Sequence, residues 1–409
     1  MGTTDTGILA GLRIVEGSAF VAAPLGGTLL AGMGADVIRF DPIGGGIDYD
    51  RWPISDEGVS LYWAGLNQGK RSIALDVSSE EGRDIALSLA SAPGEGGGIA
   101  LTNYPRSAWF SFEKLEARRS DAIMIRIEGH SDGGPAVDYT INAATGLPLI
   151  TGPEDADGVV NSVLPVWDVV TGNMAVIGLL AAERSRLMHG EGRYLSVALA
   201  DVANAVIGHL GFVAEAALLG RNRPRLGNYL YGAFGRDFET SDGTRVMIVA
   251  ITAGQFRRLA KALGIEGEVA ALEDRRGAPI EAHGDLFEAR RELASVVENW
   301  VGSRGIAEVA ATLDDQRVLW GPYQDFIETA TGDGRWSVAA SGFEPVYQPG
   351  AGTYPMPGSP IDFAGLGAKP PSPAPQLGEH TDEILEGILG MMPAEIGRLH
   401  DRKVVAGGS

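Results

Sequence analysis

Between residues 12 and 126, short runs of β-branched and apolar residues alternate with helical stretches, an order that leaves few folds open. Leu12-Arg13-Ile14-Val15-Glu16 predicts a strand, residues 24–33 a helix, and Asp36-Val37-Ile38-Arg39-Phe40 a second strand. Proline in the first turn of that helix and glycine at its end fit the asymmetry of helix termini. The alternation continues with a strand over 72–76, a helix over 79–91 and strands over 98–102 and 121–126. Strands joined through helices pair in parallel, because such a crossover returns the chain in the same direction. The expected fold is therefore α/β: a large doubly wound, Rossmann-like domain, with a smaller α+β domain further along.

Later in the chain one carboxylate stands out, in Pro165-Val166-Trp167-Asp168-Val169-Val170-Thr171-Gly172. From Val169 onward apolar and small residues crowd at helical spacing, as in a helix buried on most faces. Asp168 sits where that helix begins. It reads either as an N-cap that accepts an orphan backbone N–H, or as a nucleophile held as an anion by the helix dipole. Residues 196–219 predict one long buried helix, and Asp201, His209 and Glu215 within it argue against a membrane span. Arg221-Asn222-Arg223-Pro224-Arg225 reads as a linker, and residues 238–249 as a hairpin turning at Asp242-Gly243. Helices over 254–263, 286–301 and 306–313 follow. Residues 337–377 are rich in glycine and proline and read as extended, and short helices over 379–389 and 393–400 come last.

Composition removes several classes of function. A net charge of −20 argues against nucleic acid or an anionic membrane as partner. There is no cysteine, hence no disulfide, thiolate nucleophile or cysteine metal site. The six histidines show no metal-ligand spacing, so no metal is expected. No phosphate loop or dinucleotide fingerprint is present. Gly129-His130-Ser131-Asp132-Gly133 has the G-x-S-x-G form, but Gly134-Pro135 follow where a nucleophile elbow needs a helix, so it reads as a loop. The opening Met1-Gly2-Thr3-Thr4-Asp5-Thr6 formally fits a myristoylation pattern, whereas no signal peptide is evident and a cytoplasmic protein is expected. Among the cations of the first third, Arg39, Lys70, Arg71 and Arg106 fall at loops after predicted parallel strands, where a phosphate pocket forms.

Some stretches are more specific. They are Gly11-Leu12-Arg13-Ile14-Val15-Glu16, Ala23-Pro24, Met33-Gly34-Ala35-Asp36-Val37-Ile38-Arg39 and Leu66-Asn67-Gln68-Gly69-Lys70-Arg71-Ser72. The Asp168 segment and Leu377-Gly378-Glu379-His380-Thr381-Asp382 complete the set. On these the chain resembles the family III CoA-transferases over nearly its whole length. The resemblance implies that family's fold, Asp168 as the nucleophile, and coenzyme A as part of the substrate with no separate cofactor. It points to CoA contacts at Val21, Ala22, Arg39, Lys70, Arg71, Asn103 and Arg106. Residues 1–222 would form the large CoA-binding and catalytic domain, 223–330 the small domain, and 331–409 a return segment with helices packing on the large one.

Within the family, residues 16–27, 40–46, 62–67 and 227–240 resemble a branch that moves CoA between the two carboxyls of one branched unsaturated dicarboxylic acid. Tyr231, Gly232, Phe234 and Arg236 are then expected to bind substrate. The segment Ala136-Val137-Asp138-Tyr139-Thr140-Ile141-Asn142 lacks the histidine of the racemase branch, and Tyr231-Gly232-Ala233-Phe234-Gly235 replaces the glycine run of the formyl-CoA branch. The resemblance also implies an interlocked homodimer. An intermolecular CoA-transferase and a non-catalytic CoA-binding protein are the competing readings.

Overall fold

Six parallel strands organise the first part of the chain: β1 (Arg13–Gly17), β2 (Asp36–Pro42), β3 (Arg71–Leu75), β4 (Ile99–Thr102), β5 (Ile123–Glu128) and β6 (Arg193–Ala198). They lie in the order β3-β2-β1-β4-β5-β6, and the short strand Val405–Ala406 adds antiparallel to β3. Val15 sits between Ile38 and Ala100, which fixes the register at the centre of the sheet. The central strands are buried on both faces, which is why they read as almost continuous apolar runs. On one face the helix Glu80–Ser91 and the C-terminal helices Thr381–Leu389 and Pro393–Asp401 pack Ile85, Ile384 and Ile396 against Phe40, Ile73 and Leu75. Elsewhere the helices Ala22–Gly32 and Val166–His189 pack on each other, and the latter also lies on β5 and β6. The α/β fold with a large parallel sheet is thus the one observed.

This computed structural model describes residues 7–106, 108–366 and 369–407; the myristoylation-like Met1–Thr6 string lies outside them. The chain divides into two units. The first holds the residues up to Thr145, Ser162–Ala214 and those from Ser341 on; the second holds Gly146–Asn161 and Glu215–Ala340. In the second unit, β7 (Phe234–Glu239), β8 (Arg245–Ala250) and β9 (Leu319–Pro322) form an antiparallel sheet whose hairpin turns at Gly243, with φ of +83°. Phe234, Phe238 and Phe256 sit at the centre of its core.

Three expectations need correction. Residues 196–219 are not one buried helix. Arg193–Ala198 is an edge strand with Arg193, Tyr194 and Ser196 exposed, and Leu199–His209 and Phe212–Leu219 are separate helices broken at Gly211, whose φ is +81°. The last of these buries none of its residues. Residues 286–301 are likewise split at Ala289 into His283–Glu288 and Arg290–Gly302, and the helix Glu266–Arg276 has no counterpart in the sequence reading. The glycine- and proline-rich return contains a hairpin, β10 (Phe343–Gln348) with β11 (Gly352–Pro357).

Candidate active site

The strand order reverses between β1 and β4, and open α/β sheets bind ligands in the crevice outside the carboxyl ends of such a pair. The loop after β1 is pinned from three sides. Asn103, just after β4, accepts from the Ala19 N–H at 3.0 Å through Oδ1 and donates to the Ala19 carbonyl at 2.6 Å through Nδ2. Both oxygens of Asp48 accept from the Phe20 N–H, at 3.0 and 3.1 Å, and Arg39 Nη2 donates to the Ser18 carbonyl at 2.8 Å. Held this way, Phe20 adopts a φ of 69°, a conformation a bulky residue keeps only where its surroundings enforce it. The helix Ala22–Gly32 begins at once, with Val21 as an N-cap that supplies no side-chain acceptor.

Asp168 approaches the same loop. A Cβ on Gly172 would lie 2.7 Å from the Ala22 carbonyl oxygen, so glycine is what lets the two helices meet there. Asp168 precedes Gly172 by one turn on the same face of its helix. It is the third residue of Val166–His189 and does not cap it. Asp138 does so from the helix Asp138–Ala144: its Oδ2 accepts from the N–H groups of Trp167 at 2.6 Å and Asp168 at 3.1 Å. Trp167 Nε1 donates to Asn142 Oδ1 at 3.1 Å, which ties the same two helices together. Burial, and next the charge of Asp138, push Asp168 up to about 6 from 3.8, while Arg51 pulls it down. The guanidinium of Arg51 lies 4.1 Å from the ring centroid of Tyr62 and 5.6 Å from that of Phe20.

Of the expected CoA contacts, the structure brings Val21, Ala22 and Asn103 together at this crevice. Arg39 and Lys70 are placed differently, and burial argues against a direct phosphate contact for either. Arg39 is 1% exposed; its Nε donates to Asp41, Nη1 to Glu16, Ser18 and Asn67, and Nη2 to Ser18, Asp41 and Asp48. Lys70 Nζ lies 2.9 Å from Glu16 Oε2 and donates to the Pro24 and Leu66 carbonyls and to Asn67 Oδ1. Burial lowers Lys70 to about 8 against the pull of Glu16. Arg39 holds the loops after β1 and β2 in place, and Lys70 ties Glu16 of β1 and Pro24 to residues 66–67. Arg71, paired with Asp36 and Glu383, and Arg106, paired with Glu128, are partly solvent-exposed, and such pairs exchange partners at little cost.

The four expected substrate contacts lie in the second unit. Phe234 is fully buried between Phe238 and Phe256 and belongs to that unit's core, so it cannot line a substrate site. Arg236 donates to the Asp237 carbonyl and the Tyr229 hydroxyl and pairs with Glu298 at 3.7 Å. Tyr231 donates to Glu215 at 2.8 Å beneath Arg223, and Gly232 forms a turn with φ of +73°. Phe20, Asp48, Arg51, Tyr62 and Asp138 were not singled out from the sequence. The signal available was Gly46-Ile47-Asp48-Tyr49-Asp50-Arg51, an acid and an arginine in a glycine-led loop after a parallel strand.

The family model of CoA-transferase family III matches residues 9–381, and the chain belongs to that family. It is 53% identical, over 98% of each chain, to the 2-methylfumaryl-CoA isomerase of Chloroflexus aurantiacus. It is 30% identical to the succinyl-CoA:mesaconate CoA-transferase of Haloarcula hispanica, over 93% of this chain and 96% of that one. A crystal structure of a CAIB/BAIF family protein from Brucella suis matches 94% of this chain and 100% of its own, with a TM-score of 0.76 and 26% identity.

Proposed function

We propose that this chain is an isomerase that converts 2-methylfumaryl-CoA to 3-methylfumaryl-CoA, acting as a homodimer in the cytoplasm with Asp168 as nucleophile. An Asp168 oxygen attacks the thioester carbonyl, the C–S bond breaks, and a mixed anhydride forms as CoA thiolate leaves. The thiolate attacks the enzyme's own acyl carbon, which breaks the anhydride C–O bond and leaves an aspartyl-CoA thioester beside free 2-methylfumarate. The acid's other carboxylate attacks that thioester, and the same two steps in reverse deliver CoA to the opposite end. One thioester replaces another, so CoA enters only as part of the substrate. Developing negative charge on each carbonyl oxygen needs N–H donors, and the first turn of the helix Ala22–Gly32 supplies them close to Asp168.

The observation that carries this chemistry is the division of labour between two aspartates. Asp138 takes the capping task, so Asp168 has no structural duty at the start of its helix. Near-full-length identity to a 2-methylfumaryl-CoA isomerase supports the particular reaction. The test is incubation with 2-methylfumaryl-CoA alone, with chromatographic separation of the two regioisomers, then repetition with excess labelled free acid. Interconversion without label in the thioester is expected. No interconversion would refute the reading, and label entering as fast as the regioisomers exchange would make the enzyme an intermolecular transferase. Folded Asp168→Ala is expected to be inactive.

A further inference from the structure

A dicarboxylate that swaps ends must have its second carboxylate held each time the first one reacts. The arginines at 223, 225 and 236 are occupied elsewhere: Arg223 pairs with Glu215 at 2.7 Å, Arg225 donates to the carbonyls of Leu149, Ala156 and Gly158, and Arg236 donates to the Asp237 carbonyl and the Tyr229 hydroxyl. Arg51 differs. Its Nη1 is buried yet makes no hydrogen bond among the described residues, and its ion pair with Asp48 is a long one of 3.8 Å. Asp48 is itself engaged by the Phe20 N–H and by Arg39. The Tyr62 hydroxyl is a second buried polar group without a hydrogen-bond partner among the described residues, and the guanidinium lies over the Tyr62 ring. Buried donors left unpaired cost free energy unless a ligand completes them.

The rings of Tyr62 and Phe20 under the guanidinium leave its N–H edge to meet a carboxylate in the plane. Burial, against the pull of Arg51, pushes Tyr62 up to about 12, so its hydroxyl stays a donor. Asp168 belongs to the same surroundings, since its charge acts on Tyr62 and that of Arg51 acts on it. Asp138 and Asp168 already place two carboxylates there, so a third needs a cation. We propose that Arg51, aided by the Tyr62 hydroxyl, binds the carboxylate of the substrate that is not reacting with Asp168. One anchor serves both directions: it holds the far carboxylate before the flip and the former thioester end after it. The free acid is thereby kept in the crevice between half-reactions. This assignment rests on the isomerase reading and adds the residues that recognise the dicarboxylate.

The test compares two thioesters of similar size, 2-methylfumaryl-CoA and crotonyl-CoA, which lacks the second carboxylate. The rate at which CoA is transferred to Asp168, followed by intact-protein mass after rapid mixing, is read as kcat/KM for each. Wild type is expected to prefer the dicarboxylyl thioester by about a hundredfold, the scale of a charge-assisted contact. In Arg51→Met the preference is expected to collapse to below about tenfold. Tyr62→Phe, which keeps the ring and removes only the hydroxyl, is expected to lower it several-fold. A preference that survives in folded Arg51→Met, or is absent in wild type, overturns the assignment. If Arg51→Met does not fold, an undiminished preference in Tyr62→Phe overturns it. Regioisomer interconversion by wild type is scored separately, so the anchor can fail while the isomerase reading stands.

Discussion

Asp168 is a carboxylate kept partly out of water beside a second carboxylate, and both effects favour its protonated form. On the proposed mechanism Asp168 is the nucleophile, and with its carboxyl pushed up to about 6 the anion is lost on acidification, so kcat/KM is expected to fall about tenfold per pH unit below about 6. A limb near pH 4 would contradict this. Stability runs the other way. The folded pKa lies above the unfolded value near 3.8, so the folded state holds the proton longer and stability falls as pH rises from about 4 through about 6. Asp168→Asn is therefore expected to be inactive yet more stable than wild type at pH 7, by about 1–3 kcal/mol in denaturant melts, with the gain gone below pH 4. Lys70 obeys a different rule. Lys70→Met removes one of the two buried cations paired with Glu16, leaving Arg39, and should cost about 1–3 kcal/mol of stability, while KM for the thioester in the remaining folded enzyme changes little. A large KM effect at unchanged stability would restore a phosphate role. Residue type was legible in the sequence; neighbours were not. Arg39 lies within β2, and Arg51, which the sequence did not single out, lies in the loop that follows it. What separates them is their contacts: Glu16, Ser18, Asp41 and Asn67 share the hydrogen bonds of Arg39, while Phe20 and Tyr62 offer Arg51 only ring faces.

At the scale of elements, the parallel sheet was legible because a strand buried on both faces must be apolar throughout, and each of the first five appears within two residues of its expected position. β6 escaped notice because it is an edge strand whose residues are largely exposed, and its Val197-Ala198 runs straight into the apolar Leu199–His209 helix. The N-terminus of the Asp168 helix was legible, but its cap was not, since Asp138 lies 30 positions earlier than Asp168 in sequence. Gly172 also looked like one more small residue in a buried helix. Its contact with the Ala22 carbonyl oxygen makes it the joint between the Asp168 helix and the helix Ala22–Gly32. Gly172→Val is expected to cost about 1–3 kcal/mol and, by moving Asp168 off its approach, to lower kcat by about a hundredfold. Gly178→Ala in the same helix meets only the end of the Leu195 side chain, at 3.3 Å, and should do neither. Equal effects of the two substitutions in urea melts and turnover would remove the joint's special role.

For the whole molecule, the question is what covers its exposed apolar residues. On the helix Val166–His189 the exposed positions 173, 174, 177, 181, 184, 187, 188 and 189 recur at helical spacing, and Met174, Ile177, Ala181, Leu187 and Met188 make that face mostly apolar. Ile177 is 59% exposed and Leu187 75%. The helix is long and apolar enough to cross a membrane by length and composition, yet its other face packs on β5 and β6 as a core helix does. Phe212–Leu219 is apolar apart from Glu215, buries none of its residues, and leaves Leu218 82% exposed. Isolated exposed leucines need no explanation, but contiguous apolar faces mark association surfaces. A second copy of the chain is the occupant proposed, and folding and association are expected to be inseparable. Light scattering at micromolar concentration is expected to give a dimer, and the midpoint of thermal unfolding should rise with protein concentration. Ile177→Glu combined with Leu187→Glu places two charges on the covered face without touching the sheet side of the helix. That variant is expected to lose the dimer and, with it, the cooperative unfolding transition. A wild-type monomer that is stable at micromolar concentration, with a concentration-independent midpoint, would mean that these faces are left to water and that the dimer does not exist.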